Sequence, residues 1–254
     1  MAKIMIKLAL VLALIYVLIC AVLFVMQRSF LYFPQPRSPS DHSPKMELKT
    51  NEGIVLVTTR EIAGGSALIY FGGNGEDVSY NLPMLSKAFP GAALYLMNYR
   101  GYGGSAGKPT EASIMSDAEN LFDIVYRDHK DIVLIGRSLG TGVAVHLASE
   151  RPVKKLILTT PYYSIQELAS SQFRFFPIRW LLLDKYESWK YSPKVTAPTV
   201  IVQAGKDEVI PSDSTAKLFA TFQTGIAKLK VISGDGHNSI SEFPEYDQYI
   251  QGSF

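Results

Sequence analysis

Residues 131–150 read DIVLIGRSLGTGVAVHLASE and combine three parts in a fixed order. Asp131-Ile-Val-Leu-Ile135 is a short apolar run rich in β-branched residues, which is typical of a buried parallel strand. Gly136 to Gly140 is a G-x-S-x-G pentapeptide, and Thr141 to Glu150 is rich in small and apolar residues, as in a buried helix. A strand, a sharp turn and a helix are the context that exposes a nucleophilic serine above a sheet. We therefore predict that Ser138 is a nucleophile.

The same pentapeptide pattern occurs a second time, at Gly103 to Gly107 around Ser105. No apolar strand runs directly into this second match, and Lys108-Pro109 follows it instead of a small-residue helix. The context therefore favours Ser138, and we interpret the Ser105 stretch as a flexible loop. In the tight turn around Ser138, the residues two before and two after the serine must be small, which accounts for Gly136 and Gly140.

Composition excludes several classes of function. The chain has 254 residues, 47% of them hydrophobic, which is enough for one α/β domain with a sizeable core. A formal net charge of +2, without basic runs that interleave with aromatic residues, argues against a nucleic-acid partner. The lone cysteine, Cys20, excludes an intrachain disulfide framework and a cysteine-rich metal site. We expect no metal and no cofactor.

Residues 8–26 are 19 consecutive uncharged and almost wholly apolar residues, bracketed by Lys7 and Arg28. As a helix they would be about 28 Å long, which matches the hydrocarbon core of a bilayer. A cleaved signal peptide is the alternative, but its apolar run is usually about 7–15 residues long and ends at a small-x-small site, which is missing here. We predict a single-pass signal-anchor helix in residues 1–28, with the main domain on the non-cytoplasmic side.

Residues 29–45 are predicted to be a linker, because Pro34 to Lys45 contains four prolines. The soluble domain would occupy residues 46–254 and begin with a hairpin of Met46–Thr50 and Ile54–Arg60. Strands and helices alternate after the hairpin, which predicts a mostly parallel sheet with helices on both faces. Residues 161–197 interrupt the alternation with nine aromatic residues and no strand. We interpret them as a small helical cap over the site, although an ordinary helix pair packed on the sheet is the alternative.

A serine nucleophile needs a histidine base and a group that orients the base. Among the four histidines, His42 lies in the linker, His129 ends a helix and His146 lies within the helix after Ser138. His237 remains, in a glycine-bearing loop after the predicted strand Ala227–Ile232.

The orienting acid is expected between the serine and the histidine along the chain. Asp207 follows the predicted strand Thr199–Ala204 and is favoured over its neighbour Glu208, because Pro211 at the next helix start supports Asp207 as the inward residue. Asp235 is too close to His237 in sequence to face it well.

Two backbone N–H groups should meet the oxyanion of the reaction. One is that of Leu139, which follows the nucleophile. The other is assigned to Asn74, in the glycine loop Gly72-Gly-Asn-Gly75 after the predicted strand Ser66–Phe71. A plain tight turn is the alternative for this loop, and a phosphate-binding loop is excluded because its lysine is missing.

These residues together resemble the α/β-hydrolase superfamily, and most closely its membrane-anchored abhydrolase-domain group with depalmitoylase-like, lysophospholipase-like and bacterial members. The resemblance rests on motifs in a fixed order: Asn98-Tyr-Arg-Gly-Tyr-Gly103 with Gly107-Lys-Pro-Thr-Glu111, Gly136–Gly140, Gly205-Lys-Asp207 with Pro211, and Gly236-His-Asn238. It implies an eight-stranded sheet and the roles given above for Ser138, Asp207, His237, Leu139 and Asn74. One departure is that the oxyanion loop begins Gly72-Gly73 where the family has His-Gly, so a loop-bracing imidazole is missing.

The expected function is a membrane-anchored serine hydrolase that cleaves an ester or thioester of a lipophilic acyl group. Two alternatives stay open at this point. A serine peptidase of the same fold would need a carboxylate cluster in the cap, where Glu167, Asp184 and Glu187 are available. A catalytically silent scaffold would not need the three predicted catalytic residues. Arg137 has no assigned role and would cover the helix start or meet a carboxylate of the cap.

Overall fold

The computed structural model describes residues 1–234 and 236–251. The strands are β1 (Lys45–Thr50), β2 (Gly53–Arg60), β3 (Ser66–Phe71), β4 (Ala93–Met97), β5 (Asp131–Arg137), β6 (Lys155–Thr159), β7 (Thr199–Ala204) and β8 (Ala227–Ile232). The helices are α1 (Ala2–Leu31), α2 (Leu82–Ala88), α3 (Glu111–Asp128), α4 (Leu139–Glu150), α5 (Ile165–Gln172), α6 (Ile178–Leu181), α7 (Ser188–Tyr191), α8 (Ser212–Thr221) and α9 (Pro244–Gln251).

The strands form one eight-stranded sheet in the order β1-β2-β4-β3-β5-β6-β7-β8. β2 pairs antiparallel with both β1 and β4, and all the other pairs are parallel. The predicted eight-stranded, mostly parallel sheet is thus confirmed. In a parallel sheet the carboxyl ends of the strands meet at one edge, where ligands bind in open α/β sheets. The loops after β3, β5, β7 and β8 all leave the sheet at this edge.

Helices cover both faces of the sheet, as the strand sequences require. Along β3, Ala67, Ile69 and Phe71 pack in one hydrophobic cluster, which also holds residues of α3 and α4. Leu68 and Tyr70 point the other way, into a second cluster with residues of α2 and α9. Side chains of a strand alternate between its two faces, so a strand buried on both faces must be apolar at every position.

A 3-10 turn precedes two of the helices. The turn over Val78–Asn81 precedes α2, which has Pro83 in its first turn. The turn over Ile240–Glu242 precedes α9, which begins at Pro244. Proline has no N–H to donate and its fixed φ favours the first helical turn, which is where each of these helices has its proline.

Helix α1 is much longer than the predicted apolar run and contains it. Its 30 residues correspond to about 45 Å, and nearly all of its large apolar side chains are exposed. Within residues 1–234 and 236–251 it is the one helix whose length and composition would allow it to cross a membrane. The hydrocarbon core is only about 30 Å thick, so a helix of this length would tilt or protrude.

The proline-rich segment between α1 and β1 contains no helix or strand, but it is held along the domain by hydrogen bonds. The Phe33 N–H donates to Asn74 Oδ1 at 3.0 Å, and the Ser38 N–H donates to an Asp77 carboxylate oxygen at 2.9 Å. The Gln35 carbonyl accepts from the Gly103 N–H at 2.8 Å. Two of these contacts are made with residues 72–77, the loop that follows β3.

Residues 161–197, named the cap segment below, form α5, α6 and α7 between β6 and β7. The Tyr162 hydroxyl is buried and donates to the Leu139 carbonyl at 3.0 Å, so the segment is attached to the start of α4. Its other side contacts the last turns of α1, where the Tyr32 and Tyr186 hydroxyls lie 3.0 Å apart. The cap segment therefore lies between α1 and the carboxyl edge of the sheet.

Candidate active site

Ser138 lies between β5 and α4 with a strained backbone, at φ 47° and ψ −115°. This conformation is possible because the two flanking glycines let the chain turn against its neighbours. A Cβ on Gly136 would lie 2.5 Å from the Gly140 carbonyl oxygen, and one on Gly140 would lie 2.1 Å from the Phe71 carbonyl oxygen. Both positions therefore need glycine, as the sequence predicts. Strain of this kind persists only where the surroundings impose it, and it is common at functional sites.

The three side chains predicted to act together form one chain of hydrogen bonds. The Ser138 Oγ lies 2.9 Å from His237 Nε2, and His237 Nδ1 lies 3.0 Å from both carboxylate oxygens of Asp207. The side chains of His237 and Asp207 are 6% and 3% exposed, so water competes little for their contact. Asp207 also accepts from the backbone N–H groups of Val209 and Ile210, which fix its carboxylate. This geometry can move a proton from the serine to the imidazole while the carboxylate holds the ring.

Glu208, the alternative to Asp207, is exposed. Its carboxylate bonds the backbone of His237 and not the imidazole ring. Instead its Oε2 accepts the backbone N–H of His237 at 3.0 Å. The pKa of Glu208 is lowered, first because its carboxylate accepts this N–H. The sequence analysis missed this contact, because nothing in the sequence shows where the His237 loop folds. Asp235, the other acid considered, lies outside the described residues.

The loop after β3 presents candidate donors for an oxyanion. The Gly73 N–H already donates to Glu76 Oε2 at 2.8 Å. The next N–H along the loop, that of Asn74, has no acceptor among residues 1–234 and 236–251. Leu139 is the first residue of α4, and the N–H of a first helical residue has no partner within its helix. Asn74 and Leu139 therefore fit the prediction, and both adjoin the nucleophile in the chain or in the cavity around it.

Glu76 braces this loop from inside. Its Oε1 accepts from the Tyr70 hydroxyl at 2.8 Å and from Asn81 Nδ2 at 2.5 Å, while its Oε2 accepts from the Gly73 N–H. The sequence suggested that the loop lacks a brace, because the family's histidine is replaced by Gly72. The structure shows that the carboxylate of Glu76 bonds the loop backbone at Gly73, three residues earlier in the chain.

Arg137 joins three parts of the site. It lies in the elbow beside Ser138, its Nη1 is 3.6 Å from Glu76 Oε2, and its Nη2 donates to the Asn238 carbonyl at 3.2 Å. Burial lowers its pKa, but nearby Tyr70 and Glu76 outweigh burial and leave the pKa raised. Of the two roles considered from the sequence, the contact with a carboxylate of the cap is therefore wrong, and the covering of the helix start stays a prediction. The partner of Arg137 is a carboxylate of the loop after β3 and not one of the cap segment.

Replacing Glu76 should impair turnover more than substrate binding. In Glu76→Gln, an NH₂ group would replace one of the two carboxylate oxygens. A donor that bonds Glu76 would then lose its acceptor, and the loop would shift. Removing one oxyanion donor costs roughly 10²–10³-fold in kcat, and we expect about tenfold to hundredfold for this displacement, with KM nearly unchanged. Glu61→Gln, at an exposed acid far from the site, is the matched control. A folded Glu76→Gln variant with the kcat of the parent chain would contradict this role.

The second serine, Ser105, and the histidines His129 and His146 bond residues away from the site. Ser105 is 7% exposed, its Oγ accepts from the Leu56 N–H at 2.9 Å, and it lies 3.3 Å from the Asn98 carbonyl. The interpretation of this stretch as a flexible loop was wrong, because these bonds attach it to β2. His146 bonds Glu119 at 3.0 Å, and His129 lies 3.4 Å from both the Gly65 carbonyl and the Tyr95 hydroxyl.

One cavity contains the nucleophile, and a second cavity adjoins the first. A polar cavity of about 620 Å³ is lined by Ser138, His237, Arg137 and the proline-rich segment from Gln35 to Pro39. An apolar cavity of about 300 Å³ lies between α1 and the cap segment, with Leu23, Phe30, Leu168 and Leu181 among its walls. Asn74 and Val209 belong to the walls of both cavities. The nucleophile therefore faces polar space on one side, and an apolar space begins at the oxyanion loop.

Comparison with known proteins points to one superfamily. The family model described as serine aminopeptidase, S33, matches residues 80–191. An uncharacterised protein of Mycobacterium tuberculosis is 32% identical over 228 residues, which cover 84% of this chain and 80% of that protein. The lysophosphatidylserine lipase ABHD12 of Xenopus tropicalis is 27% identical over 242 residues, covering 75% of this chain and 62% of the lipase.

Solved structures share the fold at low sequence identity. The esterase Pf2001 of Pyrococcus furiosus superposes with a TM-score of 0.70 at 15% identity, covering 87% of this chain and 97% of the esterase. Est1E of Butyrivibrio proteoclasticus superposes with a TM-score of 0.67 at 17% identity, covering 83% of this chain and 99% of Est1E. At this level of identity the likeness concerns the arrangement of strands and helices alone.

Proposed function

Because the chain belongs to the α/β-hydrolase superfamily and is a hydrolase by that kinship, we propose that it is a serine hydrolase of lipophilic acyl esters or thioesters. The observation that carries the proposal is the hydrogen-bonded series from Ser138 through His237 to Asp207. Ser138 lies in a strained elbow and lines the polar cavity, which shares two wall residues with the apolar cavity. Each residue of that series then has one chemical role.

Ser138 is the nucleophile. Its Oγ attacks the acyl carbon while His237 Nε2 takes its proton, and Asp207 accepts the Nδ1–H of the imidazolium that forms. Collapse of the tetrahedral intermediate breaks the bond to the alcohol or thiol, which leaves with the proton from His237. The acyl group stays on Ser138 until water, deprotonated by the same imidazole, attacks the carbonyl and releases the carboxylic acid.

The backbone N–H groups of Leu139 and Asn74 stabilise the oxyanion in both tetrahedral intermediates. Comparable donors each contribute about 3–4 kcal/mol to the stabilisation of the transition state. The side chain of Asn74 contributes indirectly, since its Oδ1 accepts from the Tyr102 hydroxyl at 2.7 Å and its Nδ2 donates to the Leu31 carbonyl at 2.5 Å. These bonds hold the residue whose backbone N–H faces the reacting carbonyl. No metal and no cofactor has a step in this mechanism.

The acyl group is lipophilic in this proposal, because the apolar cavity starts where the oxyanion loop ends. Its walls come from α1 and from the cap segment, and within the described residues it contains few polar groups: Gln27, Asn74 and Gln172. The named activity of a relative, lysophosphatidylserine lipase, agrees with a lipid ester as the substrate. The leaving group would occupy the polar cavity next to Arg137.

The description of the matching family model raises a peptidase as the second candidate function. An aminopeptidase needs an unpaired carboxylate to hold the free amino terminus of its substrate. The cap acids are already engaged: Glu167 bonds Ser214 and Lys217, Asp184 bonds Arg28, and Glu187 bonds Lys190. The carboxylates available to the peptidase hypothesis therefore have partners, and ester cleavage fits the site better.

The chain would act at a membrane, anchored by α1 as a single-pass helix. The amino terminus, Lys3 and Lys7 lie before the apolar run, and Arg28 and Arg37 follow it. Positive residues favour the cytoplasmic side, and we place the amino terminus there and the catalytic domain on the non-cytoplasmic side. A protease-protection experiment on sealed vesicles would test this orientation.

A series of esters of increasing acyl length tests the substrate class. We expect kcat/KM to rise roughly threefold to fourfold per methylene until the apolar cavity is full, since burying one CH₂ contributes about 0.8 kcal/mol. Ala169→Trp, which narrows the cavity, should shift the preferred acyl chain to a shorter length. Ser171→Trp, on the exposed side of the same helix, is the matched control. A flat or falling rate with chain length would rule out a lipophilic acyl substrate.

A further inference from the structure

Residues 173–183, named the insertion segment, read FRFFPIRWLLL and expose large apolar side chains. Phe175 is 88% exposed and Trp180 is 81% exposed, and Phe173 and Leu183 are about half exposed. Exposed aromatic residues at this density are unusual on a surface that faces water. The two charged residues in the segment are Arg174 and Arg179, both exposed, and it contains no acidic residue.

The insertion segment contacts the apolar helix α1 well inside the predicted membrane span. The Tyr16 ring stacks on the Phe176 ring at 5.7 Å between centroids, and the Tyr16 hydroxyl donates to the Phe175 carbonyl at 2.8 Å. Tyr16 lies near the middle of residues 8–26, the predicted span. If α1 crosses a bilayer, the residues that touch Tyr16 must lie at or below the lipid headgroups.

Polar contacts at the end of α1 keep the two elements together. Gln27 is the one buried residue of α1. Its Nε2 donates to the Leu181 carbonyl at 3.0 Å, and its Oε1 accepts from the Leu183 N–H at 2.6 Å. Arg28 Nε donates to an Asp184 carboxylate oxygen at 2.9 Å. Burying a polar side chain of an apolar helix costs free energy unless the side chain is hydrogen-bonded. These bonds therefore favour one fixed position of the cap segment on α1.

We infer that the insertion segment embeds in the same lipid leaflet as the end of α1, with Phe175 and Trp180 among the acyl chains. Its partner is the phospholipid leaflet itself, because Arg174 and Arg179 can reach the lipid phosphates from the segment's exposed side. Aromatic side chains prefer the membrane interface, where an apolar body meets polar headgroups.

An inserted segment would let the acyl chain of a substrate enter the apolar cavity from the membrane. The apolar cavity has Leu23 and Phe30 of α1 on one side and Phe173 and Leu181 of the insertion segment on the other. Leu23 belongs to the predicted span, so one wall of the cavity lies at membrane depth. An acyl chain would pass sideways from the leaflet into the cavity, without crossing water. This consequence rests on the proposed hydrolase function, whereas the insertion itself rests only on membrane anchoring by α1.

Tryptophan fluorescence tests the insertion, because the chain has only two tryptophans, Trp180 and Trp189. The full chain would be reconstituted into vesicles of phosphatidylcholine and phosphatidylglycerol that carry a doxyl quencher on the acyl chains. In Trp189→Phe, the remaining Trp180 should be quenched strongly. In the matched control Trp180→Phe, the remaining Trp189 should be quenched weakly, because it is half-buried and stacks on Tyr163. Equal, weak quenching of both in vesicles that retain the chain would overturn the inference.

The outcome of this test is separable from the outcome for catalysis. Flotation of the vesicles reports anchoring by α1, and quenching reports insertion, whether or not the chain hydrolyses any ester. In an activity arm, Phe175→Asp should lower the hydrolysis of a long-chain ester within vesicles roughly tenfold, because a carboxylate opposes insertion. Hydrolysis of a water-soluble acetyl ester should stay unchanged, and Phe175→Leu should retain both activities. Equal loss of both activities in Phe175→Asp would contradict lateral entry.

Discussion

Ser138→Ala is expected to abolish turnover. Removing the nucleophile of a serine hydrolase lowers kcat by roughly 10⁶-fold, because attack, proton transfer and acyl-enzyme formation are lost together. A fluorophosphonate probe should label the parent chain and leave Ser138→Ala unlabelled. The measurement is gel fluorescence after labelling, together with steady-state hydrolysis of a medium-chain ester.

Ser105→Ala is the control that separates the two G-x-S-x-G stretches. This variant should keep its labelling, because Ser105 is buried and bonded to β2. It should lose about 1–3 kcal/mol of unfolding free energy, since the Leu56 N–H would be left without its acceptor. A parent chain that stays unlabelled would favour the scaffold alternative, and a labelled Ser138→Ala chain would mean that another residue is the nucleophile.

Asp207→Asn should be the next most damaging change at the site. The carboxylate is the acceptor for His237 Nδ1–H at 3.0 Å, and an amide that turns its NH₂ group toward the ring would favour the wrong tautomer. The equivalent change in a well-studied serine protease lowers kcat by about 10⁴-fold, and we expect a similar loss here with the fold intact. Circular dichroism and thermal unfolding would show that the variant is folded.

Glu208→Gln is the matched control, because it alters the neighbouring acid and keeps an oxygen that can accept the His237 N–H. We expect at most a few-fold change in kcat at neutral pH. The pKa of Glu208 is lowered in the folded chain, so its contribution to stability is complete above the ordinary range for glutamate, near 4.3, and is lost as the pH falls through the lowered value. A large loss in Glu208→Gln with little loss in Asp207→Asn would reverse the assignment.

Much of the fold follows from local sequence patterns. The apolar runs predict β3, β5 and β7 close to their observed bounds, because strands buried on both faces must be apolar throughout. The start of α3 is also stabilised locally, since Thr110 and Ser113 form a capping box at its first turn. The number of strands in the sheet does not follow from local patterns, and its prediction came from the resemblance to a known superfamily.

The candidate residues of the site were also predicted from the sequence, since few alternatives existed. Only one histidine followed a strand in a glycine-bearing loop, and only one G-x-S-x-G stretch had a strand before it and a small-residue helix after it. The structure brings Ser138, His237 and Asp207 within hydrogen-bond distance. Their catalytic roles remain a proposal, which the two variants above would test.

The contacts between loops were decided only by the tertiary structure. Arg137 contacts Glu76 and Asn238, and Glu208 bonds the His237 N–H, although these partners are far apart in the chain. No spacing rule in the sequence predicts such contacts. The same holds for Gln27, which looks like an isolated polar residue until the cap segment supplies its partners.

The sequence by itself determined the elbow around Ser138, because the strand, the two glycines and the helix are consecutive and their geometry is local. The tertiary structure decided how the oxyanion loop is braced, where Arg137 is held, and that the cap lies against the predicted membrane span. Those features depend on which distant surfaces meet, and the free energy that selects such contacts is distributed over the whole packed core.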